Sequence, residues 1–239
     1  MAEDSRHRAN RLIAAMPSEL LSRLDPHLEI VALTPRTVLA ESGSVMRYAY
    51  FPHSGVICLM AVLRKGGAET ATVGAEGFIG FEVLLGATTS SQRVLVQVGG
   101  VASRMPIETL VELARDSAPL RELLLDYVRY FMIQVLQSVA CNGTHSVQQR
   151  CARWLLMAHD RAGTDSFQLT QEFLAELLGI QRPSVTIVAR TLQKAGMIRY
   201  SRGLIVITDR AGLEQAACEC YDMVREAMNE VHPYWRRGR

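Results

Sequence analysis

The side chains best suited to chemistry fall in one window, Leu169 to Ile207. Arg182, Ser184, Thr186, Arg190 and Lys194 recur along a helical pattern whose other face is Val185, Val188, Ala189 and Leu192. Guanidinium, ammonium and hydroxyl groups in such a row donate to phosphate oxygens and base edges, which is binding chemistry rather than bond-breaking chemistry. Upstream, Thr170 is a good N-cap for a short helix with Phe173, Leu174, Leu177 and Leu178 on its apolar face. Gly179-Ile180 supplies a tight turn, and Arg182 opens the next helix with Pro183 in its first turn, where a missing N–H is harmless. Two helices joined by a glycine turn predict a helix-turn-helix. The stretch Ile198 to Ile207, with Arg202-Gly203 at its tip, predicts a hairpin wing.

Charge is concentrated in the same place. The whole chain carries 26 basic and 24 acidic residues, a net +2 that says nothing about nucleic acid. Residues 181–210 hold six basic residues against Asp209 alone, a net +5, while residues 1–142 hold 13 basic and 14 acidic, a net −1. A phosphate backbone needs positive charge where the helix and wing lie. A solvated basic face on a protein-binding helix pair is the rival reading, and the helix spacing and wing together favour DNA.

Other candidate chemistry is thin. The chain contains no G-x-S-x-G elbow, H-E-x-x-H, P-loop or zinc-deaminase pattern. Glu76 and Glu82 sit in a glycine-rich stretch and read as turn carboxylates, so no enzymatic activity is expected. Cysteines 58, 141, 151, 218 and 220 form no C-x-x-C pair and read as small buried hydrophobes. Cys218 and Cys220, two apart in one helical pattern running from about 209 to 231, should point to different faces. His53, His145 and His159 read as isolated surface or satisfied histidines. No cofactor or metal is expected. With 49% hydrophobic and 21% charged residues the chain is not a disordered tail. No apolar run is long enough to span a membrane, and the N-terminal Leu12 to Met16 run is too short for a secretion signal. A cytoplasmic protein is expected.

The elements that must carry this window fall into an α+β order. From Leu28 to Met105, short β-branched and aromatic runs alternate with Gly, Ser and Pro clusters, which predicts an antiparallel barrel or roll. Pro106 and Pro119 bracket a short helix. One long helical pattern then runs from Pro119 to about Asn142, some 36 Å, ended by Asn142-Gly143. Leu120, Leu124, Tyr127, Phe131, Val135 and Ser138 recur at spacings of three and four, close to a heptad seam, with Leu123, Val128, Met132 and Val139 beside them. One line can pack on the roll while the other meets a second copy, and the first is assigned to the dimer. This gives a sensor roll over 1–118, a dimerisation helix and hinge over 119–144, and a winged helix-turn-helix domain over 145–239.

With these elements in order, the sequence resembles the Crp–Fnr family of bacterial transcription regulators, most strongly in LTQEFLAELLGIQRPSVTIVARTLQKAGMI. The resemblance implies a cyclic-nucleotide-binding-like roll, a long dimer helix and a winged helix-turn-helix. It implies that Thr170 and Gln171 touch the phosphate backbone and that Gln181, Arg182 and Ser184 open the recognition helix. Arg182 falls on the base-reading arginine, suited to O6 and N7 of guanine. Pro183 stands where a glutamate is usual and cannot accept from a cytosine amino group. Ile187 replaces an arginine of the catabolite activator branch and suits a thymine methyl. Thr186, Arg190 and Arg202 complete the expected DNA-binding set.

The roll departs further from the family. Gly77-Phe78-Ile79-Gly80 resembles the run into a phosphate-binding cassette, but Phe81 follows Gly80 and Glu82 comes one position late. Without gaps, Ser91 and Gln92 occupy the phosphate-pair positions, with Arg93 just beyond; a register shift would bring Glu82 and Arg93 into those roles. Gly80, Glu82, Ser91, Gln92 and Arg93 are therefore the candidate effector residues, for a ligand other than cyclic AMP, such as cyclic di-GMP, or for none. The expected partners are double-stranded DNA with pseudo-palindromic sites, a second copy of the chain, RNA polymerase and an unidentified small effector, with no membrane. The alternative function is a cyclic-nucleotide-responsive regulator of another protein, with the C-terminal domain as an interaction module.

Overall fold

The computed structural model describes residues 6–64 and 66–231. The first five residues of the expected sensor domain, Lys65, and the end of the expected C-terminal domain beyond 231 lie outside the described residues. Pro17 separates two short helices, α1 (Arg11–Ala14) and α2 (Ser18–Leu24). Seven strands follow: β1 (Glu29–Leu33), β2 (Val38–Ala40), β3 (Tyr48–Pro52), β4 (Val56–Val62), β5 (Gly67–Val73), β6 (Arg93–Val98) and β7 (Gly100–Pro106). They pair antiparallel in two sheets, in the orders β1-β7-β3 and β2-β6-β4-β5. Each expected β-rich run forms a strand, because a Gly, Ser or Pro break lets the next run fold back. The sheets enclose Phe51, Ile57, Cys58, Phe78 and Val96, all essentially without solvent contact.

Helix α3 (Ile107–Asp116) leads to the long helix α4 (Ala118–Thr144), 27 residues and about 40 Å. Ser117 caps α4 by accepting from Leu120 N, and Pro119 sits in the first turn. The helix does not stop at Asn142-Gly143. Thr144 Oγ1 donates to the Ala140 carbonyl at 2.8 Å and His145 N to the Cys141 carbonyl, so the last turn closes through the glycine.

Neither apolar line of α4 takes the role expected of it: the first is buried, and of the second Leu123 and Val128 are buried while Met132 and Val139 are open. Leu120, Leu124, Tyr127, Phe131 and Ser138 are buried within the chain and Val135 is half-buried, so this line packs inward rather than facing a partner. The roll decides this through its aromatics: Phe81 lies 4.3 Å from Phe131 and Phe78 5.3 Å from Tyr127, ring centre to ring centre. Gly77 is required there, since a Cβ would fall 2.0 Å from the Tyr127 ring. The open line is Leu125, Met132, Leu136 and Val139, at 39, 48, 63 and 67% exposure, spaced seven, four and three apart.

Beyond α4 come α5 (Val147–Ala162), β8 (Ser166–Gln168), α6 (Gln171–Leu178), α7 (Arg182–Lys194), β9 (Ile198–Ser201), β10 (Leu204–Ile207), α8 (Arg210–Ala216) and α9 (Cys220–Val231). Strands β8, β10 and β9 form the wing sheet. The single helix expected over 209–231 is broken at 217–219, where Ala217 is extended at φ −76°, ψ 165°. Cys218 therefore lies outside α9, and it shares one cluster with Cys220 instead of facing away from it. Among the described residues, no helix is long and apolar enough to cross a membrane.

Candidate nucleic-acid interface

Helix α6 starts at Thr170, whose hydroxyl accepts from Phe173 N at 3.2 Å, and ends at Gly179 with φ +62°. That left-handed residue reverses the chain in the space a short turn allows. Leu174, Leu177 and Leu178 of α6 bury against Val185, Val188 and Leu192 of α7, while Phe173 is half-buried. The rest of α7 faces out: Gln181, Arg182, Pro183, Ile187, Arg190 and Lys194 are exposed, and Ser184 and Thr186 are half-buried. Ile187 is 66% exposed, which a structural role does not explain.

The two helices are locked to one another at their starts. Thr186 Oγ1 donates to Gln171 Oε1 at 2.8 Å, which fixes the Gln171 amide. The wing turns at Arg202 and Gly203, with φ +50° and +77°, the two left-handed residues of a tight hairpin. Tyr200 Oη donates to the Leu169 carbonyl at 2.7 Å and holds the wing against the start of α6. Thr170, Gln171, Arg182, Tyr200, Arg202 and Gly203 then line one open cavity of about 390 Å³. Three separate segments thus bring hydroxyl, amide and guanidinium groups to a single concave face.

Two contacts behind this face are invisible in the local sequence. Arg150 of α5 donates to the Leu178 carbonyl at the end of α6. From the roll, Arg36 donates to Thr170 Oγ1 at 3.2 Å and lies 6.0 Å from the Phe173 ring centre.

A family profile described as a Crp-like helix-turn-helix domain matches residues 149–216, the span from α5 to α8. The transcriptional regulator SdrP of Thermus thermophilus is 28% identical over 200 residues, covering 76% of this chain and 94% of that one. The chain carries a Crp-like helix-turn-helix domain on the fold shared with solved Crp/FNR regulators. It is a transcription regulator with a helix-turn-helix DNA-binding unit. Among solved structures, FixK2 of Bradyrhizobium japonicum shares the fold of this chain at a TM-score of 0.67 with 14% identity, covering 80% of this chain and 98% of that one. CLP of Xanthomonas campestris, a c-di-GMP responsive global regulator, does so at 0.65 with 16% identity, over 80% and 99% of the two chains.

The candidate effector residues of the roll are brought together only in part. Gly80 takes φ +102°, and a Cβ there would meet Ile107 at 2.7 Å. Glu82 is closed off by its neighbours, accepting from Ser90 Oγ at 3.0 Å, from Ser91 N at 3.2 Å and from the Ser91 hydroxyl. Gln92 accepts from Thr70 Oγ1. Arg93 does not join Glu82; it pairs with Glu41 at 3.4 Å and lines a cavity of about 220 Å³ beside Arg36, Thr170 and Phe173.

The strongest polar links between roll and helix-turn-helix come from α5. Arg161 Nε donates to Glu76 Oε1 at 2.7 Å, both side chains being 7% exposed. Its Nη2 donates to Gln134 Oε1 at 2.7 Å and to Tyr130 Oη at 3.3 Å on α4. Burial alone would lower the Arg161 pKa, but the Glu76 carboxylate outweighs it and holds the guanidinium charged. Gly74 leaves room for the arginine stem, since a Cβ would meet Arg161 Cγ at 2.7 Å.

Seven residues earlier on α5, Trp154 Nε1 donates to Glu69 Oε1 at 3.0 Å. Burial pushes the Glu69 carboxyl up to about 7, against the opposing pull of the Trp154 bond. The folded chain keeps that proton where the unfolded chain releases it. The stability this contributes is full below about pH 4.5 and is lost as pH rises through about 7. Glu69→Gln therefore flattens the loss between those values and stabilises the protein at pH 8 by about 2 kcal/mol, allowing for partial exposure of the residue. Urea denaturation of both proteins across this pH range checks it; an unchanged slope would remove Glu69 as its source.

Proposed function

We propose that this regulator binds duplex DNA as a homodimer, on pseudo-palindromic half-sites about one helical turn apart. Residues 1–118 sense or transmit, 119–144 dimerise and hinge, and 145–239 bind DNA. The observation that carries the reading is the shared cavity of Thr170, Gln171, Arg182 and Arg202, where both helix starts and the wing tip meet. Arg182 reads O6 and N7 of a guanine, and Ile187 meets a thymine methyl. Thr170, Gln171, Gln181, Ser184 and Thr186 anchor the helix on the backbone, while Arg190 and Arg202 neutralise phosphates. Pro183 stiffens the first turn and accepts nothing from cytosine.

The open line of α4, Leu125, Met132, Leu136 and Val139, is the dimer seam. Its partner is a second copy, because the spacing is self-complementary along a two-fold axis. The roll takes an effector other than cyclic AMP. Glu82 is already satisfied by Ser90 and Ser91, and Arg93, which a cyclic phosphate would need, is paired with Glu41. Such a regulator works in the cytoplasm with RNA polymerase as a further partner, and catalyses nothing.

Duplex binding at fixed salt tests the assignment. Arg182→Ala costs about 1–3 kcal/mol and relaxes preference at one base pair per half-site, while Arg190→Ala weakens all duplexes evenly. Cyclic AMP added to the same titration changes neither affinity. Unaltered binding by Arg182→Ala removes it as the base reader. Failure of every duplex to bind would favour a protein-interaction role for the C-terminal unit.

A further inference from the structure

Four groups that coordinate soft metals converge where α4 ends. Cys141 and His145 stand four apart, Cys141 on α4 and His145 at its C-cap, so both side chains leave the same side of the helix. Cys218 and Cys220 arrive from the break between α8 and α9. One ligand atom from each of the four residues lies within 4.8 Å of all the others. Cys141 Sγ is 3.5 Å from Cys218 Sγ, and Cys220 Sγ is 3.5 Å from His145 Nδ1. With metal–sulfur bonds of about 2.3 Å and metal–nitrogen bonds of about 2.0 Å, the edges of a tetrahedral site are roughly 3.5–3.8 Å. Two of the contacts are therefore near edge length, and the farthest pair must close by about 1 Å.

The surroundings are those of a coordination site. His145 presents Nδ1 to the sulfurs, while Nε2 meets Glu219 Oε1 at 3.2 Å. A carboxylate behind a histidine fixes its proton on the far nitrogen and leaves the near lone pair free for a metal. Gln137 Nε2 lies 3.0 Å from Cys220 Sγ as a donor to a thiolate. Three thiolates and one neutral imidazole around a dication leave a charge of −1. Arg150 and Arg153 on α5 are close enough to act electrostatically on Cys141 and offset it. Packing alone accounts for Cys58 and Cys151, which sit in the main core. It does not account for three thiols in a separate cluster with a carboxylate-oriented histidine at its rim. A Cys141–Cys218 disulfide would leave Cys220 and His145 without a role.

We propose that Cys141, His145, Cys218 and Cys220 form a tetrahedral site for one thiophilic divalent cation, Zn²⁺ by its ligand set, which fastens the end of α4 to the start of α9. The linked residues enclose the whole winged helix-turn-helix between them.

The test is a Co²⁺ titration of the full-length protein, reduced and stripped with a chelator. Thiolate-to-cobalt charge-transfer bands and intense tetrahedral d–d bands should saturate at about one ion per chain and vanish on adding Zn²⁺. Glu219→Gln, altered at a surface carboxylate, should keep the spectrum and bind about 10–100-fold more weakly. Cys218→Ser should lose the three-thiolate charge-transfer intensity, whereas Cys151→Ala should retain it. The proposal is overturned if the reduced wild-type chain gives no tetrahedral bands. It is equally overturned if Cys218→Ser titrates like wild type, or if thiol trapping in cell extracts recovers a Cys141–Cys218 disulfide. Should Cys218→Ser fail to fold, the wild-type spectrum and the Glu219→Gln shift decide.

Discussion

Arg161→Met lowers folding stability by about 3–5 kcal/mol, more than any other single polar change described above. The loss has two parts. Losing the guanidinium leaves Gln134 Oε1 and Tyr130 Oη without this donor, and it leaves the Glu76 carboxylate, 7% exposed, without its ion-pair partner. The second part dominates, because an uncompensated buried charge costs more than a lost neutral hydrogen bond. Adding Glu76→Gln to Arg161→Met removes the stranded charge and recovers much of the loss. A double-mutant cycle by urea denaturation measures this, with coupling of about 2 kcal/mol or more expected. Additive single effects would show that the pair contributes nothing beyond its separate side chains.

Leu136→Asp shifts the proposed dimer toward monomer by at least about 100-fold, or roughly 3 kcal/mol. Leu136 is 63% exposed in the single chain, so the substitution leaves the protomer core intact while placing a carboxylate in the seam. Sedimentation across a concentration series reads the change, and operator affinity falls with it because one half-site supports only weak binding. Leu124→Asp is the contrast. Leu124 has no solvent contact, and its replacement unfolds the protomer instead. A Leu136→Asp protein that remains dimeric at micromolar concentration would falsify the seam.

Much of this was legible in sequence because it is local. Thr170, Gly179 and Pro183 each act within one turn of the chain, so both helices of the motif could be bounded from their own residues. The strands were legible for a similar reason, since each apolar run ends at its own Gly, Ser or Pro. What escaped was tertiary choice. Apolar residues lie on several sides of α4, and the aromatic packing of Phe78 and Phe81 on Tyr127 and Phe131 fixes which side turns inward. Cys141 and Cys218 meet across 77 residues, through a helix break that no proline or glycine at 217–219 announces. The four-residue spacing of Cys141 and His145 was the available signal, and it needed a partner from elsewhere. The α5 anchors were equally hidden, because Arg161 and Trp154 look like ordinary members of an amphipathic helix until Glu76 and Glu69 stand opposite them.

Those two anchors repeat one interval. Trp154 and Arg161 are seven apart on α5, and Glu69 and Glu76 are seven apart on the roll. Two turns of helix set the points of attachment about 10.5 Å apart on one edge. A single pin permits rotation about itself in every direction, whereas two pins leave only rotation about the line that joins them. Turning α5 by one residue swings both side chains about 100° off their carboxylates together, and tilting it lifts at least one. The winged unit must therefore release both anchors to leave this orientation on the roll. Both contacts then oppose any rotation of the winged unit against the roll.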